Sequence, residues 1–166
     1  MALLIPTADA MYGRYQLKQM CAAEGGLKVY RVAQNVDGFL ASSATAETLK
    51  KYGYQFMEGG GPNNYYRFSL VDGEMLLEQN VKPKSQYKVM LVKTGYKTRY
   101  WKDAYVVQDM QGEVLAEDTQ ISFRGGWAER FLGQFSGAGA GSVASCANEV
   151  YAEIRHIRVV TNTLKH

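Results

Sequence analysis

The chain has 166 residues, of which 46% are hydrophobic and 21% charged, so a single globular domain over residues 1–166 can bury a core of its own. The formal net charge of +3 is too small to indicate a nucleic-acid or membrane partner by itself. No run of about 18 apolar residues occurs, which argues against a membrane span. The two histidines and two cysteines are spread over the whole chain and lack the close spacings that a Cys/His zinc cluster needs.

The beginning of the chain predicts a short helix followed by a strand. Apolar residues between Tyr15 and Cys21 have helical spacing, and the Gly25-Gly26 pair is typical of a helix end. We therefore expect a helix over about 13–24. Residues 27–32 are rich in strand-forming side chains and predict the first strand.

A second short helix is predicted over Ser43–Gly53. A serine or threonine is available to cap its N-terminus, and Glu47 falls in its first turn. Lys50 and Lys51 fall at its end, where positive charge complements the helix dipole.

From residue 65 onward the pattern is that of an antiparallel meander. Asp72-Gly73 and Thr94-Gly95 are the turn signals, and a further strand ends at Phe123. Five antiparallel strands are expected between 65 and 123, and the strand over 27–32 could extend this sheet. The predicted strands that flank the two turns are Tyr65–Val71, Glu74–Val81, Tyr87–Val92 and Lys97–Val107. The expected fold class is α+β, with short helices packed on one face of the sheet.

The last third of the chain is less regular. Trp127–Leu132 suggests one or two helical turns, and Phe123 and Trp127 are expected in the core because large aromatic side chains gain most from burial. The glycine and alanine run over 133–145 predicts a flexible loop. A helix is favoured over about 145–157, and residues 158–166 are left without an assignment.

No motif in the chain predicts catalysis or a cofactor. The glycine-rich loop lacks the Gly-Lys-Ser/Thr ending of a phosphate-binding loop and the strand that should precede a dinucleotide site. Ser145 lacks a nucleophile elbow, and His156 is expected at the surface. The acidic residues Glu113, Glu117 and Asp118 are expected to form a solvated face. The sequence thus favours a non-enzymatic protein without a cofactor, and a small hydrolase remains the weakest alternative.

The most distinctive feature is a basic and aromatic strip over residues 82–102. It contains seven lysines and arginines and no acidic residue, while the rest of the chain has 12 basic and 16 acidic residues. Such a strip could bind an anionic ligand, with cations on phosphate or acidic sugar and aromatic rings stacked on bases. The alternative is that the lysines only protect the exposed face of the strands. The candidate ligand surface consists of Lys88, Tyr96, Lys97, Arg99, Tyr100 and Lys102, and four of these, Lys88, Lys97, Arg99 and Lys102, are predicted to form one exposed patch.

The two cysteines, Cys21 and Cys146, can be read in two ways from the residues alone. They form either one disulfide that staples opposite ends of the chain or two unrelated buried thiols.

Two local strings carry a resemblance: Cys21–Tyr30 (CAAEGGLKVY) and, later, Phe123–Trp127 (FRGGW) followed by Cys146. They resemble a group of uncharacterised bacterial and prophage proteins that have a Cys-Ala-x-Asp/Glu-Gly-Gly-x-Arg/Lys-Val-Tyr opening and a Gly-Gly-Trp segment. Those proteins usually follow an export signal, so the resemblance implies an envelope or periplasmic location. It also favours the disulfide, because disulfides persist in oxidising compartments.

The N-terminus itself carries no such signal. The stretch Met1–Pro6 is too short for the apolar part of a signal peptide, so the chain is either cytosolic or a mature form with Met1 added.

These observations predict a small binding or interaction protein of the bacterial cell envelope, with a phage-related origin implied by the resemblance. Its partner would be a protein or an anionic glycan. The alternative is a cytosolic nucleic-acid-binding protein that uses the strip over 82–102.

Overall fold

A computed structural model describes residues 4–42, 44–62, 64–96, 99–126, 144–146 and 152–166. These residues form three helices and nine strands. The helices are α1 (Leu4–Glu24), α2 (Ala46–Tyr52) and α3 (Ala152–Thr163). The strands are β1 (Gly26–Val29), β2 (Gly38–Ala41), β3 (Phe56–Gly61), β4 (Asn64–Val71), β5 (Glu74–Gln79), β6 (Tyr87–Tyr96), β7 (Tyr100–Asp109), β8 (Val114–Phe123) and β9 (Ala144–Ser145).

All nine strands belong to one mixed sheet. Its order is β1-β8-β7-β6-β2-β3-β4-β5, and β9 pairs with β8. Strand β2 is parallel to both of its neighbours, β6 and β3, whereas β3–β4 and β4–β5 are antiparallel. The α+β class is confirmed. The purely antiparallel meander is wrong, because β2 lies between β6 and β3 and is parallel to both. The sequence analysis predicts neither β2 nor β3.

The chain divides into two compact units, each built from three stretches. We name the first the disulfide unit; it comprises residues 1–26, 93–104 and 119–150. The second, the main-core unit, comprises residues 27–92, 105–118 and 151–166. The prediction of a single domain over 1–166 stays a prediction.

The disulfide unit has an apolar cluster of Leu17, Tyr100, Ile121 and Phe123. The rings of Tyr100 and Phe123 stack with their centroids 5.1 Å apart. Helix α1 lies so close to Phe123 that a Cβ on Gly13 would be 2.2 Å from the ring. The prediction that Phe123 is a core residue is confirmed, whereas Trp127 lies outside the described residues.

Cys21 and Cys146 form a disulfide, with their Cα atoms 5.2 Å apart. This bond confirms the reading that the resemblance favoured and closes a loop of 125 positions. The backbone N–H of Cys146 also donates to the carbonyl of Ile121 at 3.0 Å. The bond thus joins α1 to a segment that is paired with β8.

The main-core unit has a larger apolar core that includes Phe39, Leu49, Met57 and Leu115, each at most 1% exposed. Helix α2 was predicted from its local signals, and these signals are used in the structure. The Thr45 side chain accepts a hydrogen bond from the Thr48 N–H, and Gly53 ends the helix in the left-handed conformation.

Several predicted boundaries are wrong at the ends of elements. Helix α1 is not short, because it begins at Leu4 rather than near residue 13 and has 21 residues. Thr94-Gly95 is not a turn, since both residues lie inside β6. By contrast, Asp72 and Gly73 both have positive φ, as the predicted two-residue hairpin turn requires.

The C-terminal region also differs from the prediction. Ala144 and Ser145 were assigned to the flexible loop over 133–145, but they form β9, paired with Phe123 and Ser122. Residues 133–143 of that loop, and the predicted turn at 127–132, lie outside the described residues. The last helix spans Ala152–Thr163, so it continues beyond the predicted end at residue 157, and residues 147–151 of the predicted helix lie outside the described residues.

Candidate functional site

Three residues of the predicted ligand surface have partners within the disulfide unit. Arg99 forms an ion pair with Asp9, and Lys102 forms one with Glu24 at 3.3 Å. The two cationic side chains are only 27% and 24% exposed. Tyr100 is buried and donates its hydroxyl hydrogen to the Gly13 carbonyl at 3.1 Å.

The predicted exposed patch of four cations is therefore wrong for Arg99 and Lys102, and Tyr100 is a core residue. Lys88 is half-buried on β6, in register with Leu40 of β2. Lys97 and the side chain of Tyr96 lie outside the described residues. A ligand role for the strip stays a prediction.

The main-core unit contains a buried carboxylate, Glu58, that the sequence analysis did not single out. Glu58 is fully buried on β3 and accepts hydrogen bonds from the Nε and Nη2 atoms of Arg67 at 2.9 and 2.7 Å. It also accepts from the backbone N–H groups of Lys84 and Ser85 at 3.0 to 3.2 Å, and from the Ser85 hydroxyl. One carboxylate thereby fixes the segment that leads into β6.

These hydrogen bonds also determine the acidity of Glu58. Burial alone would raise its pKa, but the hydrogen bonds from Ser85, the Lys84 backbone and Arg67 outweigh burial and hold the pKa below its ordinary value of 4.5. The carboxylate is therefore ionised at neutral pH, which is the state that its donors require.

The fixed segment forms one wall of an open depression that we call the polar groove. The groove consists of two adjoining cavities of 150 and 370 Å³, and both are lined by Gln86 and Tyr87. Its walls are the connections β1–β2, β5–β6 and β7–β8. The remaining lining residues are Gln34, Asn35, Val36, Asp37, Gly38, Phe56 and Lys84 in the first cavity, and Arg31, Ser85, Asp109, Met110 and Gln111 in the second.

The other walls of the groove are held by hydrogen bonds of their own. Asp109 accepts from the backbone N–H groups of Gln111 and Glu113 at 3.1 and 2.8 Å, which shapes the β7–β8 turn. Arg31 forms ion pairs with Asp109 at 3.3 Å and Glu113 at 3.1 Å. The Met110 N–H donates to the Gln86 carbonyl at 3.1 Å, so two walls are joined directly.

The lining of the polar groove is polar but nearly balanced in charge. Asp37 and Asp109 oppose Lys84 and Arg31, and four side-chain amides line the rest. The ammonium group of Lys84 lies 4.0 Å from the centre of the Phe56 ring, a cation–π contact that keeps this side chain over the groove. Such a lining suits a ligand with many hydroxyl groups better than a polyanion.

His156 lies in a second cavity, and the prediction of a surface histidine is wrong. It is half-buried, its Nδ1 atom is hydrogen-bonded to the hydroxyl of Tyr52, and its ring meets Tyr105 edge to face at 5.2 Å. The cavity has a volume of 320 Å³. We call it the His156 pocket; it is lined by Ser42, Thr48, Lys51, Tyr52, Leu91, Tyr105, His156 and Ile157.

The predicted solvated acidic face is also wrong in part. Asp118 is fully buried and receives two hydrogen bonds from Arg158, at 2.8 and 3.0 Å, so it anchors α3. Glu117 accepts a hydrogen bond from the hydroxyl of Tyr30 at 2.9 Å, which raises the tyrosine pKa.

The residues of the polar groove and of the His156 pocket come from separate segments of the chain, which is why the sequence did not reveal these sites. Glu58 had one usable signal: a lone carboxylate beside Gly59, Gly60 and Gly61 in a run that follows Phe56-Met57. If that run is interpreted as a short buried strand, the carboxylate of Glu58 needs a positively charged partner. No comparable local signal surrounds His156.

Among the described residues, no group of three His, Cys, Asp or Glu side chains is arranged to hold a metal ion. None of the helices in the described ranges is long and apolar enough to span a membrane. Comparison with known proteins found no matching family model, no curated protein and no solved structure.

Proposed function

We propose that this protein is an exported, non-enzymatic binding protein of the bacterial cell envelope that recognises a glycan in the polar groove. The observation that carries the proposal is the composition of the groove: side-chain amides and carboxylates on walls that Glu58 and Asp109 hold in place.

The chemistry of the lining favours a sugar. Each amide offers a donor and an acceptor in one plane, and the carboxylates of Asp37 and Asp109 accept further hydrogen bonds, which matches adjacent hydroxyl groups. The half-buried ring of Tyr87, which lines both cavities, can contact the apolar face of a sugar ring. Lys84, whose ammonium group lies over the Phe56 ring, would pair with the carboxylate of an acidic glycan.

The preformed walls support binding rather than a mobile recognition loop. A site whose backbone is already fixed loses less conformational freedom when ligand binds, so more of the interaction energy appears as affinity. Glu58 supplies this order through its hydrogen bonds to the lining residues Lys84 and Ser85, and its remaining partner is Arg67.

The location in the envelope rests on the disulfide between Cys21 and Cys146. Disulfides form and persist in exported proteins and are rare in the reducing cytosol. The nucleic-acid alternative is less favoured, because Arg99 and Lys102 are paired with carboxylates and Tyr100 is buried.

Binding can be tested by calorimetric titration with soluble fragments of peptidoglycan and of acidic envelope polysaccharide. The variants are Gln34→Ala and Gln111→Ala, one in each cavity, and the control is Gln79→Ala, an exposed residue of β5 outside the groove. We expect each groove variant to weaken binding about fivefold to tenfold, as the loss of one hydrogen bond predicts, and the control to bind like the wild type.

Three outcomes would overturn the proposal. The first is the absence of binding to any glycan fragment, and the second is equal affinity for the groove variants and the wild type. The third is binding to nucleic acid that weakens steeply with salt, which would favour the alternative function. Location is tested separately by alkylating thiols in intact cells; labelling of Cys21 and Cys146 without prior reduction would contradict export.

A further inference from the structure

Strand β5 forms an end of the sheet among the described strands. Its described neighbour is β4, and the two strands pair without interruption from Val71 and Glu74 to Tyr66 and Gln79. In an antiparallel pair, every second residue directs its backbone N–H and C=O groups away from the neighbouring strand. The outer side of β5 therefore carries a regular row of backbone donors and acceptors, which is the template that an added strand needs.

The hairpin turn determines which backbone groups point outward. The Asp72-Gly73 turn has two residues, so Val71 and Glu74, which flank it, are the first hydrogen-bonded pair of the ladder. The next residues of β5 that bond to β4 are Leu76 and Glu78. The backbone groups that point away from β4 are those of the alternate residues, Met75, Leu77 and Gln79.

Two leucines of β5 are exposed on opposite faces of the sheet. Leu77 is in register with Phe68, so it points to the face on which Phe68 packs against the main core, yet it is 48% exposed. Leu76 points to the other face and is 50% exposed. A strand added beside β5 would place side chains about 5 Å from both leucines, so it would remove apolar surface from water on both faces.

The strand has none of the features that commonly protect an edge. Natural edge strands carry lysine, proline or a β-bulge, which hinder pairing with another chain. The six residues of β5 include no lysine, no proline and no glycine, and their pairing with β4 has no bulge. No feature of the strand itself therefore prevents a further strand from pairing with it.

The charges of β5 indicate which kind of strand fits. Its charged residues are Glu74 and Glu78, which lie on the same face as Leu76. Glu78 pairs with Arg67, but Arg67 also pairs with the buried Glu58, so this group of three keeps one negative charge. A second copy of β5 would bring two more glutamates to the same edge, and like charges across a strand pair are destabilising. A basic partner strand is therefore favoured over a second copy.

We propose that the outer edge of β5 binds an extended basic and apolar peptide segment of a partner protein, which joins the sheet as an antiparallel strand. The segment has two basic residues four positions apart, opposite Glu74 and Glu78, and the apolar residues between them cover Leu76 and Leu77. In this mode the backbone supplies affinity and alternate side chains supply specificity. No residue of β5 lines the polar groove, so the proposal does not depend on glycan binding.

The test uses a synthetic heptapeptide, Thr-Lys-Val-Val-Ile-Lys-Thr, acetylated and amidated at its ends. It is titrated into the full-length protein while the backbone amide NMR signals are followed. One control peptide has glutamate in place of both lysines. The other has proline at its third and fifth positions, so it keeps both charges but lacks the N–H groups that would face Leu77 and Met75. We expect shifts centred on β5, and binding of each control peptide that is about tenfold weaker.

A charge exchange tests the register. Glu74→Lys should weaken binding of the lysine peptide about fivefold. A peptide with glutamate at its sixth position, which faces position 74 in the antiparallel register, should restore the affinity of this variant. The matched control is Glu113→Lys in the β7–β8 turn, where the side chain of Glu113 is 62% exposed; it should bind the lysine peptide like the wild type.

Several results would overturn the proposal. They are the absence of binding at millimolar peptide, shifts that lie away from β5, undiminished affinity for the proline peptide, and equal effects of the two charge variants. Sedimentation of the protein alone tests the second copy as the occupant. A dimer that Leu77→Lys dissociates would show that β5 pairs with another copy of this chain rather than with a basic peptide.

Discussion

The two units of this chain are stabilised in different ways. In the disulfide unit, the described core is a small cluster around Phe123, and the covalent bond between Cys21 and Cys146 supplements it. In the main-core unit the apolar core is larger, and two fully buried carboxylates, Glu58 and Asp118, each have arginine partners. One unit thus adds a covalent crosslink to its small core, whereas the other has carboxylates that are fully buried and paired with arginines.

Because of this difference, we expect the stability of one unit to depend on redox conditions and the stability of the other to depend on pH. A disulfide acts chiefly by restricting the unfolded chain, and its contribution depends on redox conditions. A buried carboxylate contributes through its donors and depends on pH. Both candidate sites belong to the unit that has no disulfide, so we expect them to tolerate reducing conditions better than acid.

The largest effect is expected from removing the crosslink. Replacing Cys21 and Cys146 together with serine should lower the free energy of unfolding by about 4–5 kcal/mol, since the closed loop spans 125 positions. Urea denaturation of the oxidised wild type and the double variant measures the loss. Hydrogen exchange should accelerate more in α1 than in α2, and an equal acceleration in both helices would contradict the comparison.

A loss of about 3–5 kcal/mol is expected for Glu58→Ala, because it leaves the guanidinium of Arg67, only 13% exposed, without its buried partner. The matched control is Glu78→Ala. Glu78 pairs with the same arginine at 3.3 Å but is 43% exposed, so its loss should cost less than about 1 kcal/mol. Similar melting curves for the two variants would show that burial is not what distinguishes these ion pairs.

The same carboxylate makes the stability of the main-core unit depend on pH in the acid range. The folded pKa of Glu58 is lower than its unfolded value of about 4.5, so its stabilisation is complete above about pH 5 and is lost as the pH falls through the folded pKa. We expect the stability difference between wild type and Glu58→Gln to be constant at neutral pH and to shrink below pH 4.5. A difference that grows on acidification would refute the sign, and Glu78→Gln serves as the reference.

A smaller effect is expected where β2 approaches β3. A Cβ at position 38 would lie 2.2 Å from the carbonyl oxygen of Phe56, which is backbone and cannot rotate away. Gly38→Ala should therefore cost about 1–3 kcal/mol. Gly61→Ala, where an added Cβ meets nothing within 4 Å, is the control and should leave the melting temperature nearly unchanged. A neutral Gly38→Ala would mean that β2 can shift without loss.

Local signals explain which elements the sequence predicted. Helix α2 has its capping threonine and its terminal glycine within the segment itself, and the β4–β5 hairpin has Asp72-Gly73. Only the second half of helix α1 was predicted. Gly25-Gly26 marks the end of the helix, whereas Pro6 obscures its beginning. Pro6 is tolerated because it falls in the first turn, where the N–H groups have no partner inside the helix.

The missed strands depend on distant partners. Strand β2 has only four residues, and half of β3 is glycine, so neither has a pattern that stands alone. They are strands because Phe39 and Met57 pair in register and are fully buried in the core. The same reasoning applies to His156 and Glu58, whose partners lie far away in the chain.

The parallel position of β2 has a consequence for the order of folding. Strands β3, β4 and β5 are consecutive and can pair through short turns. Strand β2 pairs with β6, at Leu40 and Lys88, and the whole β3–β5 meander lies between these two strands in the chain. Loop closure over a longer stretch costs more entropy before any contact compensates for it. We expect the β3–β5 meander to form early and the β2–β6 pair to close the sheet late, so that this junction sets the folding rate of the main-core unit.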